Sequence, residues 1–160
     1  MKNTIKILLL AWVCMAISCP PKERENCHAS IRFVNNSEML LYVTDVSNSR
    51  DFDPLDIRRL YFQPLQKRIK CCEVNKDALV IYNRCYESIF DIDGADTIFV
   101  FIFDAAVVEN TSWEVVARDY LVLKRYDLTL SDLQRLEWKI TYPPTEAMKD
   151  VKQHPPFGSE

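Results

Sequence analysis

Glycine is almost absent from this chain: Gly94 and Gly158 are the only two in 160 residues. A loop that cradles phosphates needs several backbone positions without side chains, so nucleotide-binding strand–loop–helix folds are excluded. Imidazoles are as scarce, with His28 and His154 alone, which leaves thin material for nucleophilic or general-base catalysis. Basic residues are in no excess, 20 Lys and Arg against 23 Asp and Glu for a formal charge of −3. The pairs Arg58-Arg59, Lys67-Arg68 and Lys124-Arg125 are scattered among acids. Neutralising phosphates needs a basic face, so nucleic acid is not an expected partner. Long apolar runs are missing too. The longest, Ile5 to Ile17, is too short to span a bilayer.

That short run is informative. Lys2 and Lys6 precede and punctuate it, and it ends in Ala16-Ile17-Ser18-Cys19, the form of a secretory leader over residues 1–18. A small residue before cysteine predicts lipidation at Cys19, although Ala16 stands where leucine is usual. Ala16 and Ser18 would also satisfy an ordinary leader cut after Ser18, which gives a soluble secreted product; Pro20 disfavours that cut. Residues 19–26, with Pro20-Pro21 and the charged Lys22-Glu23-Arg24-Glu25, then form a polar, stiffened tether. A multiply acylated amino-terminal cysteine holds firmly, because each buried methylene contributes about 0.8 kcal/mol.

Residues 27–143 are expected to form a single β-rich domain and residues 144–160 a flexible tail, broken by Pro143-Pro144 and Pro155-Pro156. Ser30 to Val34 and Glu38 to Thr44, joined by Asn35-Asn36-Ser37, predict a hairpin. Asp45 to Gln66 reads as a long loop with a helical turn at Leu55 to Leu60. Lys67–Cys72, Ala78–Asn83 and Tyr86–Phe90 read as short strands. Thr97 to Phe103 is apolar on both faces and predicts a central strand. Thr111 with Glu114 predicts one capping box, and Thr129 with Asp132 a second, flanked by Leu128 and Leu133 as a hydrophobic staple. Tyr120 to Tyr126 reads as a strand. Trp138, Ile140 and Tyr142 alternate onto one buried face. The sum is an antiparallel β-sandwich-like domain with one or two short helices near its C-terminal end, α+β being the alternative.

Setting aside Cys14 and Cys19, four cysteines remain: Cys27, Cys71, Cys72 and Cys85. Outside the cytoplasm they predict a structural disulfide, worth about 2–4 kcal/mol. Three complete pairings exist, and spacing does not choose among them. Zinc ligation by Cys27, His28 and other cysteines lacks the paired Cys-x-x-Cys spacing, so no metal or cofactor is expected. Asp91-Ile92-Asp93-Gly94-Ala95-Asp96 alternates acids as a calcium loop does, but lacks the closing glutamate and reads as a turn. Asp96-Thr97-Ile98 fits a short acceptor pattern for an O-linked glycan on Thr97. Glu87 and Asp104 are the carboxylates a glycan-directed hydrolase would need in one cleft.

The block Tyr120 to Pro143, which includes Arg125-Tyr126-Asp127-Leu128-Thr129-Leu130-Ser131-Asp132-Leu133 and Trp138-Lys139-Ile140-Thr141-Tyr142, resembles conserved hypothetical lipoproteins of Bacteroides-type bacteria. Phe101 to Ala105, Trp113-Glu114, Cys85-Tyr86-Glu87 and Cys27-His28 ahead of Ile31 to Ser37 are similar to that family as well. The resemblance implies an outer-membrane lipoprotein crosslinked between Cys27 and Cys85, with Cys71 and Cys72 as additions of this member. It implies no activity. The expectation is a non-enzymatic binding or envelope-assembly module, attached to the membrane by its lipid and facing an envelope protein or glycan. A hydrolase, or a small solute- or metal-binding lipoprotein, is the alternative.

Overall fold

The computed structural model describes residues 27–47, 52–61, 70–72, 77–81 and 85–159. The expected leader over residues 1–18, the expected lipidation site Cys19 and the expected tether over residues 19–26 lie outside them. Strands predominate, in two sheets, with short helices between. The smaller sheet has the order β4-β1-β7, formed by β1 (Ser30–Asn35), β4 (Asp77–Ile81) and β7 (Lys139–Tyr142). β1 runs antiparallel to β4 and parallel to β7. The larger sheet is antiparallel, in the order β3-β2-β5-β6-β8, from β2 (Leu41–Ser47), β3 (Lys70–Cys72), β5 (Ile98–Asp104), β6 (Lys124–Leu128) and β8 (Lys152–His154). No helix among the described residues is long and apolar enough to cross a membrane.

The expected central strand is β5, which pairs with β2 on one side and β6 on the other. Its residues alternate between two cores. Ile98, Val100 and Ile102 join Ile31 and Phe33 of β1, Ile140 and Tyr142 of β7, and Tyr126 and Leu128 of β6. Phe99, Phe101 and Phe103 point the other way and pack against Ile57, Leu60, Val116 and Ala117. That second core is roofed by three short helices: α1 (Arg58–Tyr61), α3 (Ala105–Asn110) and α4 (Trp113–Arg118). Within it Arg125 and Asp127 of β6 form a buried ion pair, Nε to Oδ1 2.7 Å, and Arg125 also reaches the Tyr120 hydroxyl at 2.9 Å.

Several expectations need correction. The predicted hairpin does not form: β1 and β2 belong to different sheets. Asn35, fully buried, accepts from the amide and hydroxyl of Ser37 and donates to the Met39 carbonyl, so the turn redirects the chain from one sheet to the other. Tyr86 to Phe90 is helical, as α2 (Tyr86–Asp91); Tyr86 and Ile89 lie three apart, on one buried helical face. The Thr111–Glu114 box is not made. Thr111 ends α3, a helix the sequence reading missed, and α4 starts after Ser112 without a side-chain cap. Tyr120 is left-handed at φ 49, so that strand begins only at Lys124. The Thr129–Asp132 box does form, on α5 (Leu130–Arg135), with both reciprocal bonds present. Leu128 and Leu133 are both buried in the first core.

The tail expected over residues 144–160 is the largest correction. Residues Glu146–Met148 make a 3₁₀ turn and β8 adds to β6, while Met148 and Val151 are buried. Gln153 donates to the carbonyls of Met148 and Val151. Two apolar side chains and a strand partner outweigh the local effect of the prolines.

Candidate functional site

The start of the described chain is fastened to α2. The Tyr86 amide donates to the His28 carbonyl at 2.9 Å, and the His28 amide donates to Glu87 Oε2 at 2.8 Å. His28 Nδ1 lies 2.5 Å from Glu87 Oε1, so one carboxylate holds both backbone and ring of a residue 59 positions away. The ring also stacks on Trp138, with centroids 4.1 Å apart and planes 13° from parallel.

Trp138 reaches this place through a costly backbone. α5 ends with Glu137 and Trp138 both left-handed, at φ 51 and 58, conformations that disfavour side-chain-bearing residues by roughly 1–2 kcal/mol each. The Trp138 amide returns to the Leu133 carbonyl at 2.8 Å, which closes the helix end and turns the indole toward His28. In a chain nearly without glycine, tertiary packing holds these positions instead.

Beside this clamp the two cysteines singled out by the family resemblance come together. Cys27 Sγ, Cys85 Sγ and a Glu87 carboxylate oxygen all lie within 4.8 Å of one another. Cys85 Sγ donates to Glu87 Oε2 at 3.1 Å. Both cysteines are thiols in this structure; the expected crosslink is absent although its partners are adjacent. Burial, then hydrogen bonding to Cys27 and to Glu87, pushes the Cys85 thiol up to about 12. Burial alone would raise Glu87 too, but the His28 and Cys85 donors hold it below the ordinary carboxylate range. A nucleophilic cysteine needs the opposite shift. The trio Cys85, Glu87 and His28 thus has the residue types of a catalytic set without an activated thiol.

The other sequence candidates do not join this cluster. Asp104 caps α3 by accepting from the Ala106 amide at 2.8 Å, so it and Glu87 serve separate local structures. The Asp91–Asp96 stretch is a turn into β5, with Gly94 at φ 68, and its acids form no ligand group among the described residues. Thr97 stands just before β5, its hydroxyl donating to Asp96 Oδ1 at 2.8 Å. His154 lies on β8 opposite Arg125, its ring 5.9 Å from that of Tyr120. Cys71 and Cys72 sit on the edge strand β3, opposite Tyr42 and Leu41. Lys124 and Arg125 are buried, so they supply no basic surface.

The His28–Glu87 pairing and the Trp138 platform were not anticipated. Only the adjacency of histidine to cysteine in Cys27-His28 and the Cys85-Tyr86-Glu87 spacing hinted at them. Comparison of the chain with family profiles, curated proteins and solved structures yields no match.

Proposed function

We propose that this chain is an outer-membrane lipoprotein, held by a lipid on Cys19 and acting as a non-enzymatic binding or envelope-assembly module. The observation that carries the reading is the leader ending in Ser18-Cys19, followed by a short polar tether that reaches the folded body at Cys27. The clamp at that junction supports it. A domain tied to a membrane through its first residues gains from having them bonded to its interior, and His28 is bonded to Tyr86 and Glu87 and stacked on Trp138. The raised thiol of Cys85 favours a structural over a catalytic use of the site.

In an oxidising compartment the same two thiols close as Cys27–Cys85. Each thiol gives up a proton and an electron, and a disulfide oxidant is reduced to two thiols. The finer description of the body as a sandwich-like stack belongs to this proposal as well. It is supported by the core common to both sheets and by the Tyr126 hydroxyl donating to the Thr141 carbonyl at 2.7 Å.

Metabolic labelling with a fatty-acid probe tests the anchor. Wild type is expected to label and to fractionate with outer membranes, and Cys19→Ala to do neither. An unlabelled wild-type product released into the soluble fraction would overturn the proposal.

A further inference from the structure

We propose that in its thiol state the cluster of Cys27, Cys85 and Glu87 is a binding site for a divalent cation of the zinc class. This inference is independent of the lipid anchor. The geometry is close to what such an ion needs. With metal–sulfur bonds of about 2.3 Å, two tetrahedral thiolate ligands stand roughly 3.8 Å apart. The three ligand atoms here already lie within 4.8 Å of one another, and Cys85 Sγ and Glu87 Oε2 are 3.1 Å apart. The remaining adjustment is about 1 Å or less, within the reach of side-chain rotation.

The donor set selects the ion. Two sulfurs suit zinc and its soft or borderline neighbours, and disfavour calcium and magnesium, which take oxygen ligands. Three protein ligands leave a fourth position for water, the open form of a zinc site.

The surrounding residues have the character of an outer coordination layer. Glu87 is held in place before any ion arrives, because its Oε1 and Oε2 are bonded to the ring and amide of His28. His28 is in turn fixed by stacking on Trp138. Outer partners of this kind orient ligating carboxylates, and removing one typically lowers affinity 10- to 100-fold. His28 is therefore a positioning residue and Glu87 a ligand. On binding, each thiol releases its proton to solvent as its metal–sulfur bond forms. Closure of the Cys27–Cys85 disulfide uses the same sulfur electrons, so crosslink and metal exclude each other.

The test uses the full chain in detergent, reduced under argon and titrated with Co²⁺ as the spectroscopic probe, then with Zn²⁺. Wild type is expected to bind one Co²⁺ with thiolate-to-metal charge-transfer bands, which Zn²⁺ bleaches. Cys27→Ser and Cys85→Ser should each abolish them, and a Cys71→Ser/Cys72→Ser variant should keep them. Glu87→Gln and His28→Ala should retain sulfur-ligand bands with affinity lowered at least tenfold. The oxidised chain should show none. Should a serine variant fail to fold, alkylation of the reduced wild type decides: Zn²⁺ must protect Cys27 and Cys85 selectively. A silent titration, bands that survive loss of Cys27 or Cys85, or alkylation of these two that Zn²⁺ leaves unchanged would overturn the proposal.

Discussion

At the residue scale, the sharpest energetic commitment is the pair Arg125 and Asp127 on adjacent same-face positions of β6. Their side chains are 9% and 3% exposed, with a two-pronged contact of 2.7 and 3.2 Å. Arg125 extends the network to Tyr120 and to the Pro54 carbonyl, and Lys152 reaches Asp127 at 3.3 Å from β8. Desolvating two charges consumes most of their attraction, so the pair adds little net stability over a well-packed apolar pair. Removing one member strands the other. Asp127→Ala is therefore expected to cost about 3–5 kcal/mol in urea unfolding. A loss under about 1 kcal/mol would show that Arg125 finds solvent or another acid. None of this was readable from the chain, where Lys124-Arg125 stood only as one of three basic pairs scattered among acids. Charged residues are normally exposed, and only their place in the fold shows otherwise.

At the scale of elements, local signals succeeded where the stabilising groups lie within one turn. Thr129 and Asp132 are three apart, and their reciprocal bonds form as the spacing requires. Thr111 and Glu114 have the same spacing and no box, because α4 starts after Ser112, which takes the N-cap position and leaves Thr111 one residue outside it as the end of the preceding helix. The second box also sets a pH response. Burial on its own would raise the Asp132 carboxyl, but hydrogen bonds from Thr129 and the Arg135 guanidinium hold it below the ordinary value. A depressed carboxylate gives its stabilisation fully above the unfolded value of about 3.9, and the contribution is lost as pH falls through the lower folded value. In urea melts the gap between wild type and Asp132→Asn should be constant from about pH 5 to 7 and close on further acidification. A gap that widens in acid would refute the assignment. Tyr86 to Phe90 went the other way. Five residues of mixed character fit a strand as well as a helix, and burial of Tyr86 and Ile89 together chose the helix.

At the scale of the whole molecule, the C-terminal segment is a structural part of the larger sheet. Met148 and Val151 fill the first core, and β8 covers the outer side of β6. Deleting residues 145–160 should lower the thermal midpoint markedly and expose β6 amides to hydrogen exchange, since losing one buried methionine side chain alone costs about 2–5 kcal/mol. An unchanged midpoint and unchanged β6 protection would make the segment dispensable. Its polar character and its prolines had pointed to a loose end, because composition registers local preference and not an available place in the sheet.

The sequence by itself determined what depends on chemistry within a few residues: the two-faced apolar strand β5, the Thr129 cap and a glycine content too low for a phosphate-cradling loop. Tertiary structure decided which strands share a sheet, that Cys27 and Cys85 meet, and that Glu87 reaches His28 across 59 positions. The physical reason is range. Capping bonds and backbone sterics act within a turn, whereas sheet partners and side-chain clusters follow from burying one shared core, a condition that only the complete packing arrangement satisfies.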